Sequence, residues 1–258
     1  MDFVNYLPLD FGDYTPRQLA TKLKASNISL FWQKWLDEND VYWKSMELHW
    51  QFTYSAQGLG LKCLKNNTPK NAIKIGNREP NEVLNTIVQK FLVKTSKQDI
   101  LLLDATAGLL NDSQSLLHLG FPLISYERHP LISLFILTDT QLKTQSPNLK
   151  KLWQFKPITF CTSEFDIFDS QKVVLLYDPM FHIDKHKSLP SLEMQMLSLL
   201  EEDGKDLSIT SDEWLQWRKK ADLIIVKRPN KAPFLQDEQP VYSVKSKLLR
   251  WDIYQKER

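Results

Sequence analysis

Five apolar or aromatic residues, Val173–Tyr177, run straight into Asp178-Pro179-Met180-Phe181, and a tail holding His182, Asp184, Lys185, His186 and Lys187 follows. A carboxylate ending a buried strand is a place to look for chemistry, because ligands of open α/β sheets bind beyond the carboxyl ends of the strands. Three uses of Asp178 are open. It could hold an exocyclic amino group of a base. Such a nitrogen is a poor nucleophile, since its lone pair is delocalised into the ring. A carboxylate and a nearby carbonyl accepting its hydrogens would draw that lone pair out of conjugation. Pro179 would shape the loop, and Phe181 would stack on a flipped-out base. A second use is a metal site of Asp178, His182, Asp184 and His186, with the two histidines at i, i+4. Against it, no H-E-x-x-H pattern appears, and Lys185 and Lys187 would repel a cation. The third is a helix cap.

Other strand ends carry polar residues of comparable interest. "LLLDATAGLLND" (Leu101–Asp112) places Asp104, small residues and Gly108 before a helical start with Asn111 and Asp112. Small residues let backbone approach a ligand, and a helix start offers unpaired N–H groups. The stretch is neither G-x-G-x-x-G nor G-x-x-x-x-G-K-[ST], so an ordinary tight turn is the alternative. Glu127 follows Gly108 by nineteen residues, about where an acid meets ribose hydroxyls in nucleotide sites; a solvated strand end is its alternative. Together the two signals favour an adenosine-containing cofactor. Thr162-Ser163 and Lys227-Arg228-Pro229 follow further apolar runs, and the basic pair would neutralise nucleic-acid phosphates unless it is only a solvated strand end.

These residues need a scaffold of alternating strands and helices. Apolar runs at Ile100–Leu103, Leu123–Tyr126, Ile158–Cys161, Val173–Tyr177 and Leu223–Lys227 read as buried strands. Helical spacing marks Val83–Leu92, Asp112–Leu119, a segment opened by Pro130, Glu193–Glu202 and Ser211–Ala221, the last capped near Ser211. Val241–Lys245 and Leu248–Tyr254 read as a closing hairpin. Such alternation predicts a mostly parallel, doubly wound α/β sheet, and the antiparallel ending favours the methyltransferase variant of it. Residues 1–81 read as a small N-terminal α/β subdomain and 82–258 as the main domain. Four of the eight tryptophans (Trp32, Trp35, Trp43, Trp50) lie in the first segment and read as its core rather than as a base-stacking face. Leu64–Glu82 is polar and turn-rich, the natural linker.

With 258 residues, 42% of them hydrophobic, the chain can bury a sizeable core. A net charge of +2 excludes a globally basic nucleic-acid binder. The segment from Arg218 to Arg258, with eleven Lys/Arg against five Asp/Glu, supplies a local basic patch instead. Cys63 and Cys161 match no metal or redox spacing, and Cys161 reads as a small buried hydrophobe. No signal-peptide pattern or membrane-spanning run appears, so a cytoplasmic protein without membrane or metal partners is expected.

The chain resembles the small-subunit ribosomal RNA methyltransferase J family. The resemblance rests on "DATAGL" (Asp104–Leu109) with Asp112, "ERHP" (Glu127–Pro130), "YDPMF" (Tyr177–Phe181), Lys187, Ser188, Glu193 and Met194. It continues through "VKRP" with Ala232 and Pro233, and "RWDIY" (Arg250–Tyr254), covering about residues 98–258. It implies a class I, Rossmann-like fold and methyl transfer from S-adenosyl-L-methionine to the exocyclic N2 of a guanine in 16S rRNA or the small ribosomal subunit. It places Asp104, Gly108, Asn111, Asp112, Glu127, Arg128, Thr162, Ser163 and Asp178 at the cofactor. Asp178 and Phe181 would hold the guanine, and Lys187, Lys227 and Arg228 would meet RNA. Where the family loop continues G-L-G-R-D, this chain has Gly108-Leu109-Leu110-Asn111-Asp112, and its basic glycine-rich segment before the fold is reduced to Arg78. Two other functions stay open: an RNA- or ribosome-binding homologue with weak catalysis, and a metal-dependent hydrolase.

Overall fold

The computed structural model describes residues 9–26, 28–65, 71–75, 81–92, 95–142, 151–167, 171–179, 191–200 and 209–256. They fall into two units whose segments interleave along the chain. The first draws on Met1–Gly76, His129–Lys150 and Ile183–Lys205, and the second on Asn77–Arg128, Lys151–His182 and Asp206–Arg258.

The first unit holds a three-stranded antiparallel sheet, β1 (Gly12–Tyr14), β2 (Trp50–Ser55) and β3 (Gly58–Cys63). Three helices interrupt it: α1 (Pro16–Ala25), α2 (Leu30–Glu38) and α3 (Asp40–Met46). Helix α1 starts where Thr15 and Gln18 cap each other's backbone reciprocally and Pro16 occupies the first turn. The four tryptophans are all buried, and Trp43 Nε1 donates to Leu36 O at 3.0 Å, so they form a core as the sequence pattern predicts. β3 extends a hairpin that the apolar alternation of β2 alone does not announce. Part of the polar stretch after it is also ordered: Leu61 and Ile73 exchange backbone hydrogen bonds of 2.8 Å. Gly60 permits this approach, since a Cβ there would meet the Ala72 Cβ at 2.9 Å.

The second unit is built on a seven-stranded sheet. It contains α4 (Glu82–Leu92), β4 (Ile100–Asp104), α5 (Asn111–His118), β5 (Leu123–Tyr126), β6 (Trp153–Lys156) and β7 (Lys172–Tyr177). It also contains α8 (Ser211–Lys220), β8 (Leu223–Pro229), β9 (Tyr242–Lys245) and β10 (Leu249–Gln255). Two helices between these, α6 (Pro130–Leu142) and α7 (Leu192–Leu200), pack with the first unit. Helix α6 has no polar face, with Leu131–Leu137 buried throughout, so it requires neighbours on every side and contacts α1 and β3.

The strand order is β6-β5-β4-β7-β8-β10-β9. The first five strands are parallel, and β10 and β9 pair antiparallel, as expected. On one face, Phe160, Trp217 and Tyr177 pack edge-on, with Trp217 5.6 Å and 5.1 Å from the other two ring centres. Such pairs add about 0.5–1.5 kcal/mol each beyond burial.

Three details differ from expectation. The strand expected at Ile158–Cys161 lies at Trp153–Lys156, where Trp153 and Phe155 are buried and Gln154 is exposed. Pro157 stops it, having no N–H for the ladder. Cys161 is exposed rather than buried, because it lies in the turn after that strand. Helix α8 is capped by Thr210, not Ser211: the Thr210 hydroxyl accepts from Glu213 N–H at 3.2 Å and Glu213 reaches back to Thr210 N–H at 2.8 Å.

Candidate active site

The carboxyl ends of β4, β5, β7 and β8 bring most of the expected residues together. Asp104, the last residue of β4, is 2% exposed and accepts from Thr106 N–H at 3.1 Å and the Ser113 hydroxyl at 2.5 Å. Ser113 in turn meets the Ser125 hydroxyl at 2.8 Å, and Trp153 Nε1 donates to Ser125 at 3.0 Å. Asp104 thus fastens the β4 end to the first turns of α5. Burial pushes its carboxyl up to about 7, with the charges of Asp112 and Asp178 adding to the shift and the Ser113 and Thr106 hydrogen bonds opposing it.

Between β4 and α5 the chain makes a tight turn with two left-handed residues, Gly108 (φ 49°) and Leu110 (φ 63°). Gly108 N–H donates to Glu127 Oε2 at 2.8 Å, so the acid at the end of β5 clasps the loop. Leu110 adopts a conformation that glycine takes without penalty and a leucine takes at about 1 kcal/mol or more. Its side chain is 3% exposed, and that burial offsets the strain. Here the resembled family carries glycine, and Leu110 adopts the left-handed backbone that a glycine would favour.

Asn111 and Asp112 open α5. Asp112 is gripped from two sides. Asn81, which caps α4 by accepting from Leu84 N–H at 3.1 Å, donates its side-chain amide to Asp112 Oδ1 at 3.0 Å. Lys227 Nζ donates to Asp112 Oδ2 at 2.8 Å. The same ammonium donates to Asp178 Oδ2 at 2.8 Å, joining the start of α5 to the end of β7. Asp178 N–H donates to the Thr106 hydroxyl at 2.7 Å, a second tie between the loop and β7. Burial raises the Asp178 carboxyl to about 6; Lys227 opposes the rise and Asp112 reinforces it. For Lys227 burial works against the charge, yet the two carboxylates outweigh it and hold the ammonium above its ordinary range.

Lys227, expected at RNA phosphates, here faces inward. Its charge is taken up by two carboxylates, and its side chain is only 16% exposed. Arg228, the next residue, is half-buried, and burial and then the charge of Arg250 lower its pKa. Arg128 is exposed at the end of β5. Thr162 and Ser163 lie in a short turn that Glu164 anchors to the Tyr126 hydroxyl (2.7 Å) and to Lys156, beside the ends of β5 and β6. Phe181 and Lys187, like His182, Asp184 and His186, lie outside the described residues.

Sequence reading missed Thr106, Asn81, Ser113 and Ser125. An Asn followed by Glu-Val-Leu is a cap signal that could have revealed Asn81. Thr106 looks like filler in a small-residue loop, and Ser113 and Ser125 like ordinary helix and strand residues, so only the packing reveals their bonds.

Chemically, the arrangement gathers Asp112 and Asp178 around one ammonium, with Asp104 nearby, beside a helix start and a loop clasped by Glu127. It suits a ligand with hydroxyl and cationic groups, and it presents Asp178 as a hydrogen-bond acceptor.

Comparison with known proteins shows the family. Residues 69–256 match the family described as "Putative SAM-dependent methyltransferase". Two curated relatives, both ribosomal RNA small subunit methyltransferase J, are from Buchnera aphidicola and Acinetobacter baylyi. They are 33% identical over 159 residues and 34% identical over 169 residues; each match covers 59% of this chain and 61% of the relative. The chain thus spans about 61% of the length of these relatives. Among solved structures, a SAM-dependent methyltransferase from Neisseria gonorrhoeae superposes with a TM-score of 0.52 at 19% identity, covering 77% of this chain and 79% of that one.

Proposed function

Because the chain belongs to the SAM-dependent methyltransferase family, we propose that its strand-end site methylates the exocyclic N2 of a guanine in small-subunit (16S) ribosomal RNA. The observation that carries this reading is the fixed position of Asp178. It stands at the end of β7, tied to the cofactor-loop side by Thr106 and Lys227.

The donor set fits S-adenosylmethionine. That molecule has ribose hydroxyls, an ammonium, a carboxylate and a sulfonium; acids at Asp112, Glu127 and Asp178 suit the first two and the last, and the start of α5 suits the carboxylate. We assign Asn111, Asp112, Glu127, Arg128, Thr162 and Ser163 to its binding, with Asp104 and Gly108 shaping the loop that receives it. S-adenosylmethionine supplies an electrophilic methyl group when bound. The protein's part is positioning. Asp178 accepts a hydrogen bond from the guanine amino group, freeing its lone pair, and is the carboxylate placed to receive the proton that the nitrogen loses as the C–N bond forms. Phe181 stacks on the base, and Lys187 and Arg228 meet RNA. A substrate of this kind places the protein in the cytoplasm, and nothing in the chemistry calls for a metal. Among the described residues no helix is long and apolar enough to cross a membrane.

Tritiated-methyl transfer to small subunits lacking the endogenous modification tests the assignment. Asp178→Ala is expected to lower transfer by about 10³-fold or more with the fold intact. Equal labelling by wild type and variant removes Asp178 from the mechanism. Absence of S-adenosylmethionine binding by calorimetry removes the enzyme reading itself.

A further inference from the structure

With Lys227 held by two carboxylates, an RNA substrate calls for cations on the sheet besides Arg228. The pairing of β8 with β10 shows where. Leu249 lies opposite Pro229, so the turn between β9 and β10, residues 246–248, stands at the same end of the sheet as the exit of β8. Asn230 staples the two: its N–H donates to Leu248 O at 3.0 Å and its side-chain amide to Ser246 O at 2.9 Å. Arg250 locks the loop after β8 from below, donating to Asn230 O at 2.9 Å and Pro233 O at 3.2 Å. Asn230 is three residues beyond Lys227, so the turn projects roughly 10 Å past the Lys227–Asp178 contact at ordinary strand rise.

This edge carries one sign of charge. Residues 226–233 and 241–251 contain Lys227, Arg228, Lys231, Lys245, Lys247 and Arg250 and no Asp or Glu. Lys227 and Arg250 are engaged internally with Asp112, Asp178 and Asp252, whereas Lys231, Lys245 and Lys247 are exposed. Leu248, 73% exposed between them, gives the tip an apolar face as well.

We propose that the β9–β10 turn and the loop after β8 form the docking surface for the phosphate backbone of the RNA, with Lys231, Lys245 and Lys247 as its cations. The proposal rests on the reading of the strand-end site as an RNA methyltransferase centre and adds the surface that presents the substrate to it. Phosphate contacts fix register and orientation without reading sequence, while the base is selected at Asp178. A turn cross-linked by Asn230 and Arg250 holds these charges at a set distance from that carboxylate.

The test is the triple variant Lys231→Gln, Lys245→Gln, Lys247→Gln in the full chain, compared with wild type on a small-subunit rRNA substrate. The expected result is a rise in KM for RNA on the order of tenfold and a fall of about 2 in the slope of log K against log salt. Calorimetric affinity for S-adenosylmethionine and the Tm should be unchanged. An active wild type whose variant keeps the same KM and salt slope overturns the surface alone. A wild type that neither binds RNA nor transfers methyl overturns the surface together with the reading beneath it. Lysine-dependent binding to phosphatidylserine vesicles as tight as to RNA would make the edge a membrane contact and reject the proposal.

Discussion

On β10, Arg250 and Asp252 form a one-to-one pair. The Arg250 Nε donates to both Asp252 oxygens at 2.9 Å, Ser243 adds a hydroxyl at 2.6 Å, and two backbone carbonyls accept from the remaining guanidinium nitrogens. Asp252 is fully buried. On the neighbouring β8, Lys227 faces Asp112 and Asp178 together, and the charges of those two help raise Asp104 beside them. The first pair sets one cation against one carboxylate and ties β10 to β9 and to the loop after β8, a role in the fold. The second has more acid than base and leaves two carboxyls raised toward neutrality. Charge imbalance maintained inside a protein marks a place where an incoming group completes the account.

Swapping the two cations for methionine separates these roles. Lys227→Met is expected to lower methyl transfer by about 100-fold, because Asp178 loses its fixed orientation. It should also move the acid limb of the pH–rate profile upward from about 6, by on the order of one unit. On the proposed role that limb arises because Asp178 must be ionised to accept the amino hydrogen, and no cation would then favour its charge against burial and Asp112. A variant that loses rate only in proportion to its unfolded fraction, with an unmoved limb, would make Lys227 structural like Arg250. Arg250→Met should do the reverse, costing about 3–5 kcal/mol in urea unfolding by stranding a buried charge. Its rate per folded molecule should hold at saturating RNA, since Asp178 keeps its ties to Thr106 and Lys227.

A pH titration sharpens the contrast further. Asp104 has an ordinary pKa of 3.8 and is raised to about 7 in the fold. Between those values the folded protein binds a proton that the unfolded chain does not, so this group makes stability fall as pH rises from about 4 to 7. The slope is up to about 1.4 kcal/mol per unit. Asp104→Asn should flatten that slope in denaturant titrations across the window, whereas Asp252→Asn should leave it in place.

The smallest effect concerns the loop. Leu110→Gly and Leu110→Ala both lose the buried side chain, but only glycine relieves the left-handed backbone. The glycine variant is expected to be the more stable of the two by about 1 kcal/mol, against the usual order. Equal midpoints in urea would show the turn relaxes once the side chain is gone.

The strands β4, β5, β7 and β8 were legible because each is a continuous apolar run, and continuity is what a strand buried on both faces must have. The acids at their ends followed from that. Trp153–Lys156 was not, since its alternation covers four residues and a more apolar run follows Pro157. The ion pairs of Lys227 are hidden for a related reason: a strand-end lysine looks the same whether it faces solvent or two carboxylates 49 and 115 residues away. Asp178 beside Lys227 is a long-range juxtaposition, and no local pattern encodes it. Leu110 shows the converse, for the missing glycine was visible in sequence while the left-handed backbone at that position was not.

The β9 strand also ends the sheet, four residues long, with Lys245 at its tip end and Lys247 just beyond. An outer strand exposes unpaired amides and carbonyls that invite another chain to add on, and brevity and lysine charge are two ways proteins discourage it. The lysines proposed to hold RNA therefore also guard against self-association. Any sequence drift that weakened one duty would be opposed through the other, and a neutralised variant should be watched for aggregation as closely as for activity.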